Sequence, residues 1–171
     1  MKKHYGFTLI ELMITIAIAA IVMTIAVPSF NTTIQNNRIT TQTNDLISAI
    51  NLARMEAIHR GANVSLCASS DQATCSGTND WSVGWIVYED TVAVGTTTTM
   101  ASGGLIRVWR AMEGSPTVTA SNSATFIRYN ANGTLGASRI ITHKITGCTD
   151  TQKRIISISA AGRPNSRPAS C

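Results

Sequence analysis

Residues 7–30 read FTLIELMITIAIAAIVMTIAVPSF, with one charge, Glu11, no glycine, and a single proline, Pro28, near the end. As a helix rising 1.5 Å per residue this stretch spans roughly 36 Å, enough to cross a bilayer core of ~30 Å. Lys2 and Lys3 precede it, and the positive-inside rule keeps them cytoplasmic, with the rest of the chain across the membrane. A secretory signal peptide has a similar outline, with the two lysines as its n-region and a small-residue cut near Ala26. Glu11 argues against that reading. A carboxylate in an apolar helix costs up to ~2.5–3.5 kcal/mol on insertion scales, less near the interface, so a partner charge is expected to offset it.

Working outward, the helical pattern continues beyond Pro28. Ile39, Leu46, Ile50, Ala53 and Ala57 form an apolar stripe suited to packing on a sheet, while Arg38, Asp45, Arg54 and Glu56 fall off it. Gly61 after Arg60 is a helix stop. The helix is therefore expected from Phe7 to about Arg60, bent or loosened at Pro28, where the polar runs Asn31 to Thr33 and Gln35 to Asn37 mark the passage from membrane to water. Beyond Gly61 the pattern shortens to strand-like segments: Val64 to Cys67, Gly84 to Glu89, Leu105 to Arg110, Thr117 to Thr119, Thr125 to Asn130, Arg139 to Ile145 and Arg154 to Ser159. Asn132-Gly133 is expected to turn the chain between two adjacent strands, and Gly95 to Gly104 to form a surface loop. The fold class is α+β, a long N-terminal helix packed on an antiparallel β-sheet or sandwich.

Charged residues are 13% of the 171-residue chain and the net charge is +5. After Glu113 the only acid is Asp150, against Arg128, Arg139, Lys144, Lys153, Arg154, Arg163 and Arg167. A basic C-terminal third suits a polyanion or an anionic lipid surface, or is a solvated face. Cys67, Cys75, Cys148 and Cys171 include no CxxC, and no histidine stands at metal-ligand spacing, so disulfides are expected rather than a metal. Three pairings are open; Cys67 with Cys75 and Cys148 with Cys171 would make two local staples, formed in an oxidising compartment. No GxSxG, HExxH, P-loop or GxGxxG is present. No catalytic residue, cofactor or enzyme activity is expected. His59 and His143 are read as structural or solvated, and the tryptophans as core anchors, with base stacking the alternative.

Gly6-Phe7-Thr8-Leu9-Ile10-Glu11-Leu12 resembles the GFTLIEL signature of type IV pilins and pseudopilins. The resemblance implies a leader at 1–6, cleavage between Gly6 and Phe7 by a prepilin peptidase, and N-methylation of Phe7. It also implies a membrane and filament-core helix at 7–30, and a periplasmic or extracellular pilin domain at 31–171 that includes the amphipathic half of the helix. Glu11 would then pair with the α-amine of a mature Phe7, commonly on an adjacent subunit. Other pilin subunits are the implied partners, and the inner membrane the location before assembly. The Cys67 to Cys75 loop, then Trp81-Ser82-Val83-Gly84-Trp85-Ile86-Val87-Tyr88, and Ala161-Gly162-Arg163 after a strand resemble the GspH/FimT group, which includes FimT- and FimU-like minor pilins.

FimT-like minor pilins of natural transformation bind DNA through a terminal GRxR motif, and the tail Gly162 to Cys171 resembles this arrangement. Here the motif is interrupted: Pro164, Asn165 and Ser166 separate Arg163 from Arg167. A Cys148 to Cys171 bond would anchor the tail at both ends, lowering the entropy lost when its arginines engage phosphates. The resemblance thus implies a pilus-assembly or tip role, contact with double-stranded DNA through Arg163, Arg167, Lys153, Arg154, Arg139 and Lys144, or service as a GspH-like type II secretion pseudopilin.

Overall fold

The computed structural model describes residues 6–91, 104–149 and 151–171. It divides into two compact units, residues up to Asn37 and Arg38–Cys171. Helix α1 (Leu9–Arg60) is continuous through Pro28. Pro28 cannot donate to the Thr24 carbonyl, so the ladder loses one bond there. In the first unit every side chain from Phe7 to Ile34 is exposed, including Leu9, Ile18, Ile25 and Phe30. An apolar helical surface of this extent is stable only in lipid or against other protein.

The second unit is a two-sheet domain. Strands β1 (Val64–Ala68), β2 (Trp85–Glu89), β3 (Leu105–Trp109) and β5 (Phe126–Tyr129) form one antiparallel sheet in the order β3-β2-β1-β5. Strands β4 (Thr117–Ala120), β6 (Arg139–Lys144), β7 (Lys153–Ile158) and β8 (Pro164–Ala169) form the other, in the order β4-β6-β7-β8. The stripe Ile39, Leu46, Ile50, Ala53 and Ala57 is wholly buried. Its members from Leu46 onward join Leu66, Trp85, Ile127 and Tyr129 of the first sheet and Val118, Ile141, Ile156 and Ile158 of the second in one core. Burial at this helical spacing supplies the free energy that the helix half lacks alone. Trp81 and Trp85 are core residues, and Trp109, partly buried, stacks on Trp85 at 6.2 Å.

Two expectations need correction. The stretch from Pro164 to Ala169 is not a free tail held at its ends but strand β8, paired with β7 from Ile158↔Pro164 to Lys153↔Ala169. Its prolines hid it, since proline weakens a strand reading; an edge strand tolerates them where the missing N–H would have faced outward. Asn132-Gly133 does turn the chain, with Gly133 N–H donating to the Asn130 carbonyl and Asn130 N–H to that of Thr134. However, it joins β5 to β6, which lie in different sheets. The loop expected at Gly95 to Gly104 lies, but for Gly104, outside the described residues.

Candidate functional site

At the start of α1, Gly6, Phe7 and Thr8 are exposed and non-helical, so the Gly6–Phe7 bond is on an accessible stretch of chain. Thr8 caps the helix. Glu11 N–H donates to Thr8 Oγ1 at 3.3 Å, while Thr8 N–H and Thr8 Oγ1 both donate to Glu11 Oε2, at 3.2 and 3.1 Å. This is a reciprocal capping box, and Thr8-x-x-Glu11 is its sequence signal. That signal lies within four residues, whereas the cost of a carboxylate in an apolar helix points to a distant partner. Within the described chain Glu11 already helps to satisfy the donors at the helix start.

The six basic candidates separate by face. In the β6-β7 register Lys144 is opposite Lys153 and Thr142 opposite Ile155; in the β7-β8 register Arg167 is opposite Ile155. Since side chains alternate along a strand, Lys144, Lys153 and Arg167 share the face opposite to buried Ile141, His143 and Ile156. Lys144 and Lys153 are a directly opposed like-charge pair, an arrangement that costs stability unless an anion joins it. Among the described residues the ion pairs are Arg60 with Glu56 and Glu89, and Arg128 with Asp90, none of them on this face. Arg139 and Arg154 belong to the inner-face set, opposite Ile158 and His143 respectively. Arg154 Nη1 donates to the Thr151 carbonyl at 3.2 Å.

Arg163 is exposed at the β7-β8 turn, where Ser159 N–H donates to its carbonyl at 3.1 Å. The preceding Gly162 has φ +81°, and a Cβ there would collide with the Gly133 carbonyl and approach Tyr129 Cε1 to 2.9 Å. Tyr129 Oη donates to the Gly162 carbonyl at 3.2 Å, and burial raises the Tyr129 phenol well above its usual range. The glycine of the Gly162-Arg163 pair is thus a packing requirement, and the arginine after it is what reaches solvent. Cys148 bonds Cys171 (Cα–Cα 5.8 Å), closing β8 onto the β6-β7 connection, and Cys67 bonds Cys75 (Cα–Cα 5.7 Å).

His143 is fully buried in β6. Gln42 Nε2 donates to the Glu113 carbonyl at 2.8 Å, which directs Gln42 Oε1 at His143 Nε2, 3.2 Å away, while Thr43 Oγ1 is 3.0 Å from Nδ1. The ring therefore donates from Nε2 and accepts at Nδ1. Burial, and secondarily the nearby Arg154, lower its pKa to about 4. A neutral histidine with both nitrogens engaged ties β6 to α1 and offers no open ligand position. Among the described residues no cluster of His, Cys, Asp or Glu is arranged to hold a metal.

Comparison with known proteins accords with this architecture. The family model for GspH, a type II transport protein, matches residues 42–162, and the prokaryotic N-terminal methylation motif matches residues 1–27. No curated protein sequence matches. Crystal structures of the type IV minor pilin FimU from Pseudomonas aeruginosa share the fold. One is 24% identical with a TM-score of 0.61, covering 78% of this chain and 90% of that one. Another crystal form is 25% identical with a TM-score of 0.54, covering 75% and 92%. With a methylation-type apolar helix leading into a two-sheet domain matched over most of its length, the chain belongs to the GspH family of pilin-like proteins.

Proposed function

We propose that this chain is a minor type IV pilin, cut between Gly6 and Phe7 by a prepilin peptidase, methylated on Phe7, and built into the tip or assembly complex of a pilus. Residues 1–6 are its leader and 7–30 its single inner-membrane span. Residues 31–171, with the amphipathic half of α1, are the domain that passes from periplasm to filament. The observation carrying this reading is the wholly exposed apolar start of α1, in which Glu11 is the single charge from Leu9 to Phe30. Cleavage creates an α-amine, cationic at neutral pH. Glu11 receives that charge from an adjacent subunit, and because an unpaired charge in an apolar bundle is penalised, the pair sets register. Glu11→Val is expected to leave membrane insertion intact and to reduce the chain in sheared filaments severalfold, read by immunoblot of both fractions. Normal incorporation sinks the assignment.

A second role, capture of double-stranded DNA, is favoured by the face of Lys144, Lys153 and Arg167, which has no ion pair among the described residues, with Arg163 exposed at the adjoining turn. Backbone phosphates would neutralise the Lys144 and Lys153 pair without reading sequence. The full chain in detergent micelles is expected to bind duplex DNA weakly and without sequence preference at low salt. Arg163→Ala with Arg167→Ala is expected to reduce the slope of log K against log salt by about one for each phosphate no longer neutralised. An unchanged slope and affinity in a gel-shift titration removes the DNA role. The match to a type II transport protein favours a secretion pseudopilin as the alternative; deletion that abolishes protein secretion and spares pili would decide for it.

A further inference from the structure

Strand β5 ends the first sheet, and which way its backbone faces follows from its neighbour. Ser69 N–H donates to the Gly84 carbonyl, on the β2 side of β1, whereas the Ala68 carbonyl accepts from Ser76 N–H on the other side. Alternation then turns the backbone of Val64 and Leu66 toward β5, where their partners are Tyr129 and Ile127. The N–H and C=O groups of Phe126 and Arg128 must face away from β1. Asn130, of the same parity, accordingly bonds forward to Gly133 and Thr134 rather than to β1. Among the described residues no backbone group pairs with Phe126 or Arg128 on this outer edge. Phe126, Arg128 and Asn130 line a cleft of ≈ 170 Å³ together with Leu135, Gly136, Ala137 and Arg139.

The other sheet's edges are managed differently. β8 carries Pro164 and Pro168 at non-bonding positions, removing donors from its outer edge, and the outer edge of β4 takes a bridge between Asp80 and Thr119. β5 has neither device. Its cleft is also charged asymmetrically. Arg128 Nε is held by buried Asp90 at 2.6 Å and its guanidinium lies 5.3 Å from the Phe126 ring. Arg139 donates to its neighbour's carbonyl, Ser138, at 3.2 Å and has no carboxylate partner among the described residues.

We propose that the β5 edge accepts an extended acidic segment of a neighbouring pilin subunit as an added strand. Its backbone pairs with Phe126 and Arg128, and a carboxylate meets Arg139. Main-chain bonding supplies the attachment and the arginine selects for acid, as in other strand-addition recognition. The site is distinct from both Glu11 and the Lys144, Lys153 and Arg167 face, so its failure leaves those assignments standing.

Gly136 provides the test, because a Cβ there meets nothing within 4 Å and its φ is unstrained; Gly136→Phe should fill the cleft without unfolding the domain. The probe is a fluorescent hexapeptide of alternating valine and glutamate, titrated against the full chain in detergent micelles by anisotropy. The wild type is expected to bind it at least about tenfold more tightly than Gly136→Phe, a gap of about 1.4 kcal/mol. Binding should also weaken severalfold in Arg139→Gln, and when glutamine replaces glutamate in the peptide. Equal binding by wild type and Gly136→Phe, with both melting alike, overturns the proposal. So does a single-stranded oligonucleotide that binds in a Gly136-dependent way where the peptide does not.

Discussion

His143 carries the clearest pH signature. Its folded pKa is lowered to about 4 by burial and Arg154, against about 6.5 in an unfolded chain. The unfolded state thus binds the proton first. Stability is full above about pH 6.5, falls as the pH drops toward 4, and loses no more from this group below that. The span corresponds to up to about 3 kcal/mol. Chemical denaturation of the wild type from pH 7 to 4 is expected to show that loss, and His143→Gln to flatten it while lowering stability at pH 7, since Thr43 and Gln42 lose their ring partner. A slope identical in the variant assigns the acid sensitivity elsewhere. At Gly162, the φ of +81° and the close Gly133 carbonyl explain why glycine stands there without any appeal to DNA.

At the scale of elements, β8 is the unit on which the polyanion reading turns. Two prolines, an outer edge with few donors and pairing to β7 alone make it a weakly held strand. The Cys148–Cys171 bond, closing a separation of 23 residues, compensates by restricting the unfolded chain. Cys171→Ser in the Cys148→Ser background is expected to lower stability by ~2–4 kcal/mol. It should also raise amide exchange first in residues 164–169, read by hydrogen-exchange mass spectrometry. Uniform exchange across β6, β7 and β8 contradicts a strand secured by its staple. The same element shows a limit of sequence reading. Pro164-Asn165-Ser166-Arg167-Pro168 has none of the β-branched or aromatic residues that mark strands, and only the partner β7 and the disulfide make it one. Along the sequence Arg167 is merely displaced from Arg163, whereas strand pairing sets it diagonally beside Lys153.

At the scale of the whole molecule, every buried residue among those described lies at or beyond Ile39 and both disulfides fall in the Arg38–Cys171 unit. That unit, produced alone in an oxidising compartment, is expected to be soluble and to melt cooperatively by circular dichroism. Aggregation or a broad melt would show that the apolar segment contributes to its folding. The amino-acid sequence by itself determined the apolar segment, the Glu11 interruption, the amphipathic stripe ending at Gly61, seven of the eight described strands to within a residue or two at most of their ends, and the family resemblance, because these depend on composition and local periodicity. Tertiary structure alone decided that Asn132-Gly133 crosses between sheets and that β8 exists. It also set Lys144, Lys153 and Arg167 on one face while Arg139 and Arg154 joined the other, buried His143 between Gln42 and Thr43, and left Phe126 and Arg128 without an outer backbone partner among the described residues. Each of these depends on which distant segments pair and in what register, and a one-residue shift in register would exchange the faces of every basic side chain.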